Sequence, residues 1–275
     1  MSSHIYSDCP NNDTDAAEKG ALVMLGDLTN FINNLFTLIH DLGAFISNPQ
    51  HGYLTHSLDY IKLCAIAIAL ALVIALPLGV AVARQPVIAF FATNISGLAR
   101  AIPSLAFLAA AIPYLGIGFK PAVIALTVLG IPPILLNTVA GIRSVDPAVI
   151  DAARGMGMTF WQILWRIQLR LALPVIAAGV RTAAVQIVAT GTLAAVIGAG
   201  GWGEYILSGI YQLSLIQILA GAVPVALLAL LVEMSLAGVQ RVVTPAGVRR
   251  IATYYDLSAG KSSVAPPMPI DLARV

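Results

Sequence analysis

Few side chains in this 275-residue sequence have the types and spacing that covalent or metal chemistry requires. The two cysteines, Cys9 in a polar segment and Cys64 in an apolar run, show neither metal-ligand spacing nor a disulfide framework, and we interpret both as incidental. An enzyme working inside an apolar core would need a nucleophile with a base, or metal ligands, and is the least favoured interpretation. The histidines all precede the long apolar segments and share no helical spacing, so we assign them no metal site: His4, His40, His51 and His56.

The glycine-rich stretch "GAGGWG" (198–203) satisfies the G-x-G-x-x-G pattern of dinucleotide sites. The match is weak, because no acidic residue follows about 20 positions later and the preceding apolar run is long enough to span a membrane. We expect a flexible outward turn that belongs to a gate or to a contact with another protein; a plain glycine-rich turn is the alternative. No G-x-x-x-x-G-K-[ST] motif occurs, so the chain cannot hydrolyse ATP by that route, and we expect no cofactor in it.

The clearest local pattern is "SVDPAVIDAARGMGMTFWQILWRIQLRLALP" (144–174), which predicts a helix, a turn and a second helix. Asp146 as N-cap and Pro147 as first helical residue predict a short helix from 147 to about 156. Gly157 suits the left-handed conformation that ends a helix. Thr159 and Gln162 then form a capping box for a second, amphipathic helix from Phe160 to about Leu173.

The first of these helices has the composition of a docking surface. Small Ala152 and Ala153 would let another protein approach closely, and the neighbouring charges of Asp151 and Arg154 could set the register with it. A solvated, well-capped loop without a partner is the alternative. The second helix carries aromatic and basic residues suited to the membrane interface: Trp161, Trp165, Arg166 and Arg170.

The elements around this helix pair are those of a membrane protein. Hydrophobic residues make up 59% of the chain and charged residues 10%, with a mean hydropathy of +0.88, far from the soluble norm. The net charge of +2 comes from scattered basic residues and indicates no nucleic-acid partner. A spanning helix needs about 20 mostly apolar residues. Five segments satisfy this requirement: 63–83, 101–118 with an upstream extension over 87–99, 121–142, 171–200 and 215–239.

Residues 31–46 look like a further span until their polar positions are plotted. These fall on one helical face, which predicts an amphipathic helix lying in the membrane interface: Asn33, Asn34, Thr37, His40 and Asp41.

Within the third span, "GIPP" (130–133) predicts either a flexing point or a static kink. Charges inside spans are costly, so we expect Arg100, Arg181 and Glu233 to face the bundle interior, a partner subunit or the cytosolic interface. Aromatic residues are only 7% of the chain and do not cluster in the sequence.

The distribution of basic residues predicts the orientation. Residues 1–59 contain seven acidic residues and only Lys19 as a base, whereas residues 241–275 contain five basic and two acidic residues. The positive-inside rule then places the N-terminus outside and the C-terminus in the cytoplasm, which five spans allow. The helix pair becomes a cytosolic loop between the third and fourth spans.

That loop resembles the EAA loop of the permease subunits of binding-protein-dependent ABC importers, whose pattern is Glu-Ala-Ala, three residues, Gly, nine residues, Ile-x-Leu-Pro. The corresponding residues are Asp151-Ala152-Ala153, Gly157, Ile167-Gln168-Leu169 and Arg170. Asp151 keeps the charge of the family glutamate. Arg170 departs from the family proline, and Pro174 is a candidate for the missing kink. The resemblance implies that Asp151, Ala152, Ala153, Gly157, Ile167 and Leu169 couple the chain to an ATPase.

The resemblance covers roughly residues 55–240, and several segments are similar to the quaternary-amine, or osmoprotectant, branch of these importers. They are "PLGVAVAR", "IPSLAFLAAAIPYLGIG", "VDPAVIDAARGMGMT", "LALPVIAAGVRTA" and "LAAVIGAGGWGEYI". The branch imports glycine betaine, choline, carnitine and proline-type solutes. The implied partners are a cytosolic ABC ATPase that binds the ATP, a second permease that is a copy or a paralogue, an extracytoplasmic substrate-binding protein, and membrane lipid. In such importers an aromatic cage for the solute belongs to the binding protein.

We therefore expect an all-α, polytopic membrane bundle like the type I importer permeases, located in the bacterial cytoplasmic membrane. It would comprise an extracytoplasmic region (1–57) with the interfacial helix, a transmembrane domain (58–240) with the coupling loop (144–170), and a cytoplasmic tail (241–275). The expected function is import of compatible solutes without catalytic residues. The alternatives are an importer of another small solute such as an amino acid, and a secondary transporter or channel without an ATPase. Intramembrane carboxylates at mid-depth or broken-helix repeats would favour the secondary transporter.

Overall fold

The computed structural model describes residues 30–49, except 31 and 35, and residues 52–243. Cys9, His4, His51 and the tail after 243 lie outside the described residues. The regular elements of the described chain are all helical. In chain order they are α1 (30–47), α2 (Tyr53–Ala83), α3 (Pro86–Ala99), α4 (Ser104–Leu115), α5 (Phe119–Arg143), α6 (Pro147–Gly155), α7 (Phe160–Ile163), α8 (Leu169–Gly191), α9 (Trp202–Tyr211) and α10 (Leu215–Val243).

Four stretches are long and apolar enough to cross a membrane: Tyr53–Ala83, Phe119–Arg143, Phe160–Ile197 and Leu215–Val242. The predicted second span differs from a straight crossing. It consists of α3 and α4, which meet at an angle of 97° around residues 100–103. Pro103 explains the break, because it lacks a backbone N–H and disfavours the helical conformation in the residue before it. The bundle has five spans when this bent pair is counted as one.

The first span begins earlier than hydropathy indicates. Helix α2 starts at Tyr53, ahead of both the apolar run at 63 and the domain boundary expected at 58. Its first turns carry the polar side chains of His56, Asp59 and Lys62, and Lys62 Nζ lies 3.9 Å from an oxygen of Asp59. Because these first turns are polar, hydropathy alone does not detect the start of the helix.

Helix α5 is the centre of the bundle, with α2 packed on one side and α8 on another. The helices approach closely because glycines lie at their contacts. A Cβ added at Gly79 would come within 2.8 Å of Thr138, and one at Gly179 within 2.4 Å of Asn137. Gly130 of "GIPP" also allows a close approach of helices, since a Cβ there would lie 2.6 Å from Ile187 Cδ1. Helix α5 runs unbroken through this segment, so its glycine serves helix packing.

The glycine-rich segment after α8 is a turn, and a short helix that was not predicted from the sequence follows it. A 3-10 turn (Thr192–Ile197) leads into three left-handed glycines, at φ +71° for Gly198, +76° for Gly200 and +82° for Gly201. Helix α9 follows at once and folds back against α2 and α10. Its Trp202 is only 6% exposed and donates a 2.8 Å hydrogen bond from Nε1 to Ser57 Oγ. A single sequence does not reveal α9, because it is short and its anchors are distant in the chain.

The bundle therefore has two distinct ends. At one, which we call the loop end, lie α6, α7 and the last turns of α2, α5 and α10. At the other, the α9 end, lie α9 and the first turns of α2, α5 and α10. Helix α1 contacts the α9 end through Phe45, whose ring packs edge-on against Tyr205 at 5.7 Å. The interfacial position of α1 remains a prediction.

Candidate functional site

The caps of the helix pair at the loop end are those predicted from the sequence. Asp146 Oδ1 accepts a 2.8 Å hydrogen bond from the N–H of Ala148 and starts α6. Gly157 ends the helix at φ +78°, a conformation that favours glycine. The backbone N–H of Thr159 donates to Gln162 Oε1 at 2.8 Å, which completes the capping box that starts α7. The loop is thus a regular helix–turn–helix with defined caps.

The short helix α6 presents a narrower surface than the sequence indicates. Ala153 is only 1% exposed, so it packs within the chain and does not face outward beside Ala152. The exposed residues of α6 include Asp151, Ala152 and Arg154, with Arg154 Nη1 3.3 Å from Asp151 Oδ1 in an exposed pair. Such a pair contributes little to stability and leaves the charges accessible to a partner.

The second helix enters the bundle with an irregular turn. Helix α7 passes into a π-helical turn (Leu164–Gln168) and then into α8. Ile167 lies in this turn and Leu169 is the first residue of α8; both are half-buried. Helix α8 then runs unbroken through Arg170 and Pro174, so the irregularity lies before Arg170 and not at Pro174. Such π-turns are frequent at functional sites.

A cation–π contact joins the second helix to the first span. The guanidinium of Arg84, just after α2, lies 4.4 Å from the ring centre of Trp161 and 5.3 Å from that of Phe160. Contacts of this kind contribute about 0.5–1 kcal/mol at exposed sites. The helix pair is therefore covalently continuous with α8 and also in contact with the end of α2.

The two charges in the later spans form an ion pair. Arg181 Nε on α8 lies 3.2 Å from Glu233 Oε1 on α10, with both side chains partly exposed at 34% and 42%. Pairing lowers the cost of charge in an apolar surrounding. The pair connects α8 to α10.

A cavity of about 330 Å³ lies where α3 breaks from α4, and we call it the polar cavity after four side chains in its otherwise apolar wall: Arg100, Ser104, Gln186 and Thr190. Its walls come from the break, the middle of α5 and the second half of α8. Within the described part of the chain, neither the Arg100 guanidinium nor the Gln186 side-chain amide has a hydrogen-bond partner. The lining comprises Ala99, Arg100, Ala101, Ile102, Pro103, Ser104, Phe107, Val128, Leu129, Pro132, Gln186 and Thr190.

A second cavity, of about 630 Å³, lies nearer the loop end between α2, α5 and α8. Aliphatic side chains such as Leu76, Val80 and Ile176 form most of its wall, and Arg84 and Arg170 also line it. This cavity has an aliphatic wall suited to apolar groups, whereas the cavity at the α3–α4 break has hydrogen-bonding groups in its wall.

Aromatic residues cluster at the α9 end, contrary to the impression from the sequence. Tyr53 and Tyr205 stack with ring centres 5.6 Å apart, and Tyr60 lies 4.9 Å from Trp202. Burial, then the nearby Tyr53 and Glu204, raises the pKa of Tyr205 to about 12, so its phenol stays neutral. The rings pack on one another as core and leave no open cage.

Residues 75–247 match the family described as the binding-protein-dependent transport system inner membrane component. The chain belongs to this family. It is a multi-pass permease of the ABC importers, and its all-α bundle agrees with the fold predicted from the sequence.

Curated relatives cover most of this permease. It is 39% identical over 206 residues to the carnitine transport permease protein OpuCB of Listeria monocytogenes, covering 75% of this chain and 94% of that protein. It is 38% identical over 213 residues to the choline transport system permease protein OpuBB of Bacillus subtilis, covering 78% and 98%. It is 39% identical over 204 residues to the osmoprotectant import permease protein OsmW of Salmonella typhimurium, covering 72% and 95%.

A solved structure agrees with the fold. An inward-facing structure of the MetNI methionine ABC transporter superposes with a TM-score of 0.64 at 23% sequence identity, covering 72% of the permease and all of that chain. At this identity the likeness shows the fold alone, which is that of type I importer permeases.

Sequence reasoning located the helix pair but missed the cavity of this permease. Arg100 drew attention as a charge within an apolar region, yet Ser104, Gln186 and Thr190 gave no signal of their own. The four residues come from three separate elements, and only the fold brings them together. Pro103 beside Arg100 was the one local sign of a broken span.

Proposed function

We propose that this permease is the translocation subunit of an ATP-driven importer for quaternary-amine osmoprotectants such as glycine betaine, carnitine and choline. The names of its relatives support this solute class. In the proposed assembly, a cytosolic ABC ATPase binds the loop end and a substrate-binding protein docks at the α9 end. A second permease, a copy or a paralogue, completes the pore. The N-terminus is then outside and the C-terminus cytoplasmic.

The observation that supports this function best is the exposed, doubly capped α6 with its two connections to the spans. In the proposal Asp151 and Ala152 contact the ATPase, while Ala153 holds α6 against the chain. Gly157 sets the angle between α6 and α7. Ile167 and Leu169 lie where α7 passes into α8, so a displacement of α6 reaches the bundle there.

The mechanism is mechanical and involves no covalent step in this chain. Closure of two ATPase subunits on ATP moves the two α6 helices together. The movement passes through the π-helical turn into α8, and through the Trp161–Arg84 contact into α2. Rigid segments moving against one another then open the bundle alternately to each side. ATP is bound and hydrolysed by the partner.

The test is co-purification of the ATPase with the permease from detergent-solubilised membranes. Ala152→Arg places a large charge on the exposed face of α6 without disturbing its packing, and we expect at least a tenfold loss of ATPase recovery. Gln212→Arg adds the same charge at the α9 end, where Gln212 is exposed, and serves as the control. ATPase recovery with the wild type and Gln212→Arg, but not with Ala152→Arg, supports the proposal.

A secondary transporter is the second candidate, because the broken pair α3–α4 resembles the discontinuous helices of that class. No second broken pair occurs among the helices of the described residues. If the folded wild-type chain recovered no ATPase and took up solute in vesicles without ATP, this candidate would replace the importer.

A further inference from the structure

The polar cavity at the α3–α4 break is a separate site from the coupling loop. Its wall includes Val128, Leu129 and Pro132, which lie near the middle of the 25-residue α5. At about 1.5 Å per residue, Pro132 is about 20 Å along the helix from Phe119 at the α9 end. The cavity therefore lies at mid-depth in the bundle.

Arg100 gives this cavity a positive charge without a protein counter-ion in the described chain. A charged side chain in a membrane-spanning bundle is costly and indicates a function when it is not paired. Arg181 meets that cost by pairing with Glu233 at 3.2 Å, whereas no carboxylate lies within ion-pair distance of Arg100 among the described residues. The exposed guanidinium of Arg100 is available to an anion in the cavity.

The other polar groups complement this charge. The side-chain amide of Gln186 can donate and accept. Thr190 Oγ1 donates to the backbone carbonyl of Gln186 at 2.7 Å and keeps its own lone pairs. Phe107, one turn along α4 from Ser104, adds an aromatic ring to the same wall. An aromatic face attracts a quaternary ammonium, and a guanidinium binds a carboxylate. One cavity thus holds groups for both ends of a zwitterion.

We propose that this cavity is the transit site for a zwitterionic osmolyte, with Arg100 binding the carboxylate and Phe107 facing the quaternary ammonium. The inference rests on the proposed function and narrows its solute class. Glycine betaine and carnitine carry both groups, whereas choline carries only the cation. The positive charge of Arg100 repels the choline cation, so the permease favours the zwitterions. The volume of about 330 Å³ accommodates a solute of this size.

The experiment reconstitutes the complete transporter in proteoliposomes with its ATPase and saturating binding protein. ATP-driven uptake of radiolabelled glycine betaine, carnitine and choline is compared for wild type, Arg100→Gln and Arg100→Lys. Arg241→Gln removes the same charge at the exposed end of α10 and is the matched control. ATP hydrolysis is recorded in each sample, since a merely structural defect would lower it together with uptake of every solute.

We expect Arg100→Gln to lower the maximal uptake of glycine betaine and carnitine at least tenfold, to change choline uptake less than twofold and to retain ATP hydrolysis. Arg100→Lys should recover part of the loss. Unchanged uptake in Arg100→Gln, an equal loss for all three solutes, or a wild type that carries choline alone would overturn the assignment of the cavity and leave the importer function standing. A wild type that takes up none of them with ATP would overturn the proposed function and this assignment together.

Discussion

The two ends of the bundle are built by different means. At the loop end, the caps of α6 and α7 are formed by contacts between residues at most five apart, such as Asp146 with Ala148, Met158 with Ala153 and Thr159 with Gln162. At the α9 end, the contacts join residues far apart in the chain, such as Trp202 with Ser57. The first end is largely exposed, and the second is closed by buried aromatic rings.

This difference agrees with the proposed function, in which the loop end moves as a unit and the α9 end holds the spans together. A locally capped helix keeps its shape while its position changes, because few of its stabilising contacts depend on the rest of the bundle. Helix α9 lacks that freedom, since its displacement would expose Trp202 and Tyr205. The proposed coupling therefore needs a loop end that can change position, and the proposed binding-protein contact needs an α9 end that stays in place.

The largest expected effect comes from filling a close contact at the α9 end. A Cβ added at Gly203 would lie 2.2 Å from the carbonyl oxygen of Thr192 and 2.8 Å from Ala195 Cβ. Backbone cannot yield as a side chain does, so Gly203→Ala should lower the free energy of unfolding by about 3 kcal/mol. Thermal unfolding in detergent measures this loss.

Gly155→Ala at the loop end is the matched control, because nothing lies within 4 Å of a Cβ there and Gly155 is helical. Its expected change is at most about 1 kcal/mol and stabilising, from reduced freedom of the unfolded chain. Equal stability of the two variants would show that α9 is not the fixed end.

The loop end and the α9 end also differ in how much of each could be predicted from the sequence. The loop end was predictable, because each cap depends on residue types a few positions apart, and Asp146, Gly157, Thr159 and Gln162 all have the predicted conformation or contacts. The five apolar spans were also predictable from length and hydropathy. The angle of 97° between α3 and α4 was not, since proline indicates a break without its size.

The α9 end and the polar cavity depended on tertiary contacts. Helix α9 is too short for its periodicity to stand out beside three preceding glycines. Ala153 is buried and Ala152 is exposed, and the sequence does not distinguish these two identical neighbours. Likewise the different environments of Arg100 and Arg181 depend on which elements face them, and both appear in the sequence as single charges in apolar surroundings.

The next effect in size concerns the angle between α6 and α7. Gly157 has φ +78° with nothing within 4 Å of an added Cβ, so a substitution there meets conformational strain without a clash. Gly157→Val should destabilise the turn by about 1–2 kcal/mol, whereas Gly157→Asn should cost less because asparagine tolerates this conformation. Hydrogen exchange over residues 147–159 measures the turn, and ATP-driven uptake measures coupling.

We expect faster exchange and lower uptake in Gly157→Val, with asparagine intermediate and thermal unfolding of the bundle unchanged in both. Wild-type uptake in the valine variant would contradict a role for this turn in coupling. A fall in the unfolding temperature comparable to that of Gly203→Ala would remove the distinction between the two ends.

The smallest expected effect is at the first cap. Asp146→Ala removes the acceptor for the Ala148 N–H and should destabilise α6 by about 1 kcal/mol, while Asp146→Asn keeps an acceptor and should cost only a few tenths. Since 1 kcal/mol is about a fivefold change in an equilibrium, the amides at the start of α6 should exchange about five times faster in the alanine variant. Amides of α9 should not change. If they did, the helix pair would share its stability with the far end of the bundle, and α6 could not move as a unit that leaves the α9 end in place.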